Sequence, residues 1–370
     1  MSEWWRKWDP DQVAISNETV DDAWKTCVMQ GVYFSPNEYI GYTGGRISAV
    51  FVILVTSMLA TMFPLICKTF PRLRIPDLVY MIARMFGSGV IVATAFIHLM
   101  DPAYSAIGPQ SCVGSTGNWG IYSWCPAIML SSAVFTFIVD AYCDFFADVW
   151  YGIHDHIGLE QRYALDARES AHAHTHCDTE DLAPPEIDSD DKKIDTNSEI
   201  ESMASQRIDY YSQFAGFLTL EFGVLFHSVM IGLDLGSSDE YSTLYIVLVF
   251  HQAFEGLGIG SRLATIPFPA DRRWVPWVCC VAYGLTTPIA IAIGLGVRES
   301  YQGNSYTALI VSGVLDAIST GILLYTGFVE LLARDFIFNP RRTKKLWYMS
   351  LQLFVFLWGA GLMALLGKWA

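Results

Sequence analysis

Eight stretches of this chain are each about as long as a bilayer's hydrocarbon core is thick, and they are poor in charge. At 1.5 Å rise per residue, about 20 apolar residues cross a ~30 Å core as a helix. The stretches fall at roughly residues 44–67, 78–100, 126–148, 214–235, 243–264, 274–297, 305–333 and 346–367. Inside hydrocarbon, each backbone N–H and C=O has to be satisfied within the protein, so such runs become helices and not open strands. The expected fold is therefore all-α and integral to the membrane, with eight transmembrane helices. The seventh run is long and has room to tilt or project. The N-terminal segment is polar and Trp-rich, and the first apolar run has span length, which does not read as a cleavable signal peptide.

Composition sharpens the division. The chain has 370 residues, 52% hydrophobic and 16% charged, yet its net charge is −14. Residues 1–42 hold seven acids and three bases, and residues 155–209 hold fifteen acids and five bases. Those segments carry −4 and −10, so the apolar remainder is balanced. An acidic tail (1–43), spans one to three (44–148), an acidic loop (149–213) and spans four to eight (214–370) follow as the expected organisation. The apolar, aromatic-rich core excludes general disorder. The acidic balance excludes nucleic acid as a partner, because phosphate would repel it.

Orientation follows from the basic residues of the short loops. Lys68, Arg72, Arg74, Arg262, Arg272, Arg273, Arg334, Arg341, Arg342, Lys344 and Lys345 fall on one side, against Arg298 alone in the short loops opposite. Positive loops stay in the cytoplasm, so both termini are expected outside and the 149–213 loop inside. Cys27, Cys112 and Cys125 then lie on the oxidising side, where one bridge forms and one cysteine is left over; the pair is open. Asn17-Glu18-Thr19 is a glycosylation sequon on the outer tail.

The eight histidines divide between two environments. His154, His156, His172, His174 and His176, the last followed by Cys177, lie in the inner loop; His98, His227 and His251 lie within spans. An ionisable group inside a membrane is costly and points to function. His227 comes thirteen residues into span four from the inner side, and His251 eight residues into span five from the outer side. At 1.5 Å per residue both arrive near the midplane. Glu255 is one turn further on the His251 face. Two imidazoles and a carboxylate suit Zn²⁺, and less exclusively Fe²⁺ and other first-row ions. A single such histidine is as readily a packing residue; the matched pair with its carboxylate favours metal.

Other groups extend the pattern. Ser228 and Gln252 adjoin the two histidines as auxiliary ligands or supporting partners. His98 and Asp101 stand at the outer end of span two as an entrance. Asp140, Asp144 and Asp148 form one stripe on span three, which lines an inward path or pairs with Arg84. Glu221 and Asp316 are further pathway candidates, and Glu330 lies near the inner end of span seven. The loop reads as disordered, with Ala183-Pro184-Pro185 and acidic runs. Its His172, His174, His176 and Cys177 form a weak metal-binding tract, regulatory or receiving in role.

Phe226-His227-Ser228-Val229-Met230-Ile231-Gly232 and His251-Gln252-Ala253-Phe254-Glu255-Gly256 resemble the signature helices of the ZIP (Zrt-, Irt-like protein) metal transporters. Thr94 to Pro102 and Leu331 to Phe336 are further runs typical of one branch, and the resemblance covers nearly the whole chain. It looks most like the fungal high-affinity zinc permeases of the plasma membrane. The resemblance implies import of Zn²⁺, as transported substrate, to the cytosol through His227, His251 and Glu255. It implies inverted repeats (helices 1–3 and 6–8) around helices 4–5, and elevator motion of helices 1, 4, 5 and 6 against 2, 3, 7 and 8. The number of subunits is left open, with a homodimer among the options.

Two positions depart from the family's binuclear pattern. Ile231 stands where many members carry Glu after the span-four His, and Thr287 stands where many carry Glu before the span-six Pro. A single primary metal position is expected. Two alternatives compete on the same residues: an intramembrane metal-dependent hydrolase, for which His-Glu-x-x-His is missing, and a metal-sensing transceptor.

Overall fold

The computed structural model describes residues 21–32, 43–70, 76–151, 191–237, 241–297, 303–338 and 345–369. Every regular element among them is helical: α1 (Asp22–Met29), α2 (Thr43–Thr69), α3 (Asp77–Ala93), α4 (Asp101–Ile107), α5 (Trp124–Tyr151), α6 (Asp191–Ser237), α7 (Tyr241–Thr265), α8 (Val275–Val297), α9 (Tyr306–Tyr325) and α10 (Leu346–Leu366). Two π-helical segments interrupt the series, at Thr94–Met100 and Thr326–Phe338. Among the described residues, eight helices are long and apolar enough to cross a membrane.

Burial is inverted relative to a water-soluble protein. Arg46, Ser57, Thr61, His227, Gln252, Glu255 and Thr287 are buried, while Phe135, Leu130, Phe354 and Leu357 are exposed. Lipid tails solvate the exposed apolar faces as well as a protein core would, so packing and polar contacts carry helix association. Arg46 illustrates this. It is wholly buried on α2, donates from Nη1 to the Leu235 carbonyl at 2.9 Å, and lies over the Tyr241 ring. One of the orphan carbonyls at the end of α6 is thereby satisfied.

The chain divides into two compact units, residues 1–138 with 216–370, and residues 139–215. In the first, α2 packs on α7 and α8, α3 on α10 and α7, and α9 on α4 and the Thr94–Met100 segment. The second unit contains the later part of α5 and the first part of α6, where Tyr210 stacks on Phe214 at 5.6 Å between ring centroids.

Several expectations meet their outcome here. Cys27 and Cys112 form the disulfide, and Cys125 is a buried free thiol. Arg84 pairs with Asp335, Nε to Oδ2 at 3.5 Å, and Glu330 pairs with Arg262 and Arg334. Residues from Asp191 on, read from the sequence as part of the 149–213 loop, are helical, because α6 begins at Asp191. No Gly or Pro interrupts the sequence from there to Ala215, so nothing in the backbone stops the helix. The long seventh run passes into the π segment that follows α9, which continues beyond residue 333 to Phe338, and the other π segment ends just before Pro102. Pro102 has no N–H to offer the His98 carbonyl four residues earlier, which loosens the α-helical ladder at that point. The tract His172, His174, His176 and Cys177 and the sequon Asn17 lie outside the described residues.

Candidate metal site

The site is assembled from α6 and α7, which enter it from opposite ends. His227 Nε2 and His251 Nε2 stand 3.2 Å apart, and His251 Nε2 is 3.7 Å from Glu255 Oε2. All three residues are at most 1% exposed. Their ligand atoms lie within 4.8 Å of one another, the one such group of three or more among the described residues. With metal–ligand bonds of about 2.0–2.1 Å, two ligands of a tetrahedron stand about 3.3–3.4 Å apart. These two edges bracket that value and the third is within 4.8 Å, so the trio can take one small divalent ion once its longest edge closes.

A cavity of about 310 Å³ reaches His227 and His251. His98, Asp101, His227, Asp234, His251 and Asp316 provide its ionisable lining, with Asn304 and Gly367 at the rim. Five expected site residues from four separate stretches of sequence thus share one space. His98 is closer to the histidines than its reading as an entrance implies. Its ring stands perpendicular to His251 at 4.8 Å between centroids, and its Nε2 is 3.2 Å from the Met363 carbonyl. The π-helical backbone at Thr94–Met100 places it there. Asp101 is exposed at the mouth, and Asp316 is buried in the wall.

The neighbours of the histidines differ from one another. Gln252 donates its amide to Ser57 Oγ at 3.1 Å and to Thr287 Oγ1 at 2.8 Å. A neutral hydrogen-bonded cluster thus occupies the Thr287 position. Ser228 Oγ is buried without a hydrogen-bond partner, as are Glu221 Oε2 and Glu255 Oε1. Asp140 and Asp144 lie half-buried in the second unit, and the side chain of Asp148 is outside the described ones.

Two residues of this region were not singled out from the sequence. Asp234 follows His227 by seven residues, two turns along the same helix face, and that spacing was a usable signal. Tyr283 donates its hydroxyl to Glu255 Oε2 at 3.2 Å from α8. Nothing local in the sequence connects those two, because they meet only through packing of α7 and α8.

The chain is similar to known proteins along most of its length. The sequence matches the family described as "ZIP Zinc transporter" over residues 43–367. It is 58% identical to Zinc-regulated transporter 1 of Saccharomyces cerevisiae, covering 99% of this chain and 98% of that protein. Identity to Zinc-regulated transporter 1 of Schizosaccharomyces pombe is 39%, covering 95% of this chain and 91% of that protein. Identity to Zinc transporter 3 of Arabidopsis thaliana is 32%, covering 88% and 84%. These are transporters and not hydrolases, which sets the enzyme reading aside. An all-helical chain with eight span-length helices, a buried His-His-Glu trio and this coverage is thus a multi-pass membrane protein that belongs to the ZIP zinc transporter family.

Proposed function

We propose that this chain imports Zn²⁺ across the plasma membrane into the cytosol, with His227, His251 and Glu255 as the transport site. The observation that carries the reading is the 3.2 Å and 3.7 Å spacing of three buried ligand atoms, with both histidines lining a cavity that His98, Asp101 and Asp316 also line. A cation leaving water needs ligands to replace its hydration shell, and it must also be able to leave them. One carboxylate beside two neutral imidazoles supplies a modest fixed charge, and the amide-hydroxyl cluster at Gln252 and Thr287 adds none.

His98, Asp101 and Asp316 act as the approach to the site, gathering the ion from the side on which both termini lie. Glu221, with its buried unpartnered oxygen, belongs to the path beyond. Asp140, Asp144 and Asp148 are further pathway candidates, and Ser228 and Gln252 support the ligands. The loop tract His172, His174, His176 and Cys177 receives or senses the ion. Alternating access comes from elevator motion of α2, α6, α7 and α8 against the other spans. The test is ⁶⁵Zn uptake in zinc-uptake-deficient yeast. The chain should raise saturable uptake well above vector, and uptake equal to vector would overturn the importer reading.

A further inference from the structure

The geometry points to Tyr283 as a positioning residue that sets the Glu255 carboxylate for the transported metal. This rests on the reading of His227, His251 and Glu255 as the transport site. Glu255 is fully buried, and its Oε1 has no hydrogen-bond partner. Its Oε2 is the oxygen that stands at ligand spacing from His251, and Oε2 accepts the Tyr283 hydroxyl at 3.2 Å. A carboxylate on three rotatable bonds has no intrinsic reason to present one oxygen to the histidines. The phenol supplies that reason, in the way that outer partners orient metal ligands elsewhere.

The ring itself is held on several sides. It is 2% exposed. One turn earlier on α8, Cys280 donates its thiol to the Thr61 carbonyl of α2 at 3.7 Å. One residue later, Gly284 packs on Met58, whose sulfur would stand 2.8 Å from an added Cβ. On the facing helix, Gly256 follows Glu255, and a Cβ there would come to 3.3 Å from Tyr283 Cε1. Glycine therefore leaves the ring its place beside the carboxylate. With α8 seated against α2 and no side chain at 256, the hydroxyl has a fixed approach to Oε2. Tyr283 does not touch the ion; it acts through Glu255.

The test is a double-mutant cycle on the purified full-length protein in lipid nanodiscs. Zn²⁺ affinity is read by competition with a chromophoric chelator for wild type, Tyr283→Phe, Glu255→Ala and the double variant. Tyr283→Phe is expected to lose about tenfold in affinity in the wild-type background. In the Glu255→Ala background the same change should cost less than about twofold, because the residue it acts through is gone. Tyr283→Leu, which also lacks the hydroxyl, should repeat that pattern. In cells, Tyr283→Phe should raise the KM for ⁶⁵Zn with its maximal rate within about twofold, at matched surface abundance. An equal loss in both backgrounds would show a packing role only and overturn the inference, as would no loss in either. A Glu255→Ala protein that binds Zn²⁺ as tightly as wild type would instead overturn the site reading, and the inference with it.

Discussion

Gly87 of α3 and Gly258 of α7 pack backbone against backbone: a Cβ built on Gly258 would stand 2.8 Å from the Gly87 Cα. A Cβ on Gly87 would in turn collide with Gly258 Cα, so the contact is reciprocal. It lies three residues past Glu255, on the helix that carries two of the three candidate ligands. Close approach of this kind lets dispersion contacts hold helices together where lipid supplies no hydrophobic drive.

Gly258→Val should therefore separate α3 from α7. The expected result is a thermal midpoint lowered by several degrees and uptake reduced beyond the fall in surface abundance. Gly361→Ala is the control, since nothing lies within 4 Å of its added Cβ. Fluorescence-detected thermal melting of both proteins, with parallel ⁶⁵Zn uptake, checks this.

The ion pairs beyond Glu255 give a second expectation. Arg262, seven residues after Glu255, is 5% exposed and places Nη2 3.6 Å from Glu330 Oε2. Arg334 reaches the same oxygen at 2.6 Å but is partly exposed. Removing one partner of a buried pair strands the other charge and costs about 3–5 kcal/mol. Glu330→Ala should thus destabilise strongly, whereas Arg334→Ala should cost about 1 kcal/mol or less. Thermal midpoints of the two variants in detergent rank them, and equal shifts would contradict the burial argument.

The disulfide makes a third. Cys27 and Cys112 are linked across 85 residues, and Cys125 is 1% exposed. Peptide mapping without reduction should recover the Cys27–Cys112 cross-link. Alkylation should reach Cys125 only after unfolding. Cys112→Ser should destabilise by about 2–4 kcal/mol, and Cys125→Ser much less.

Much of the membrane architecture was legible because hydrocarbon permits few solutions: a charge-poor run of span length becomes a helix. The trio was legible for a related reason. His227 and His251 could be placed by counting rise per residue from opposite ends, and Glu255 by its i+4 spacing. Contacts between helices far apart in sequence were not. Arg84 finding Asp335 and Tyr283 finding Glu255 depend on how helices rotate against one another, and Cys27 finding Cys112 instead of Cys125 depends on where a turn lies against α1. Apolar patterning barely constrains that rotation when lipid accepts every apolar face. The π-helical backbone that swings His98 against His251 was likewise hidden, although Pro102 marked the place.

The central claim is that His227, His251 and Glu255 together carry the ion. The most direct test is ⁶⁵Zn uptake, normalised to surface abundance, by wild type, His251→Ala and Glu255→Ala in zinc-uptake-deficient yeast. The account predicts that each substitution lowers uptake at sub-saturating zinc by about tenfold or more, as loss of a metal ligand should. Uptake equal to wild type in both variants would contradict it.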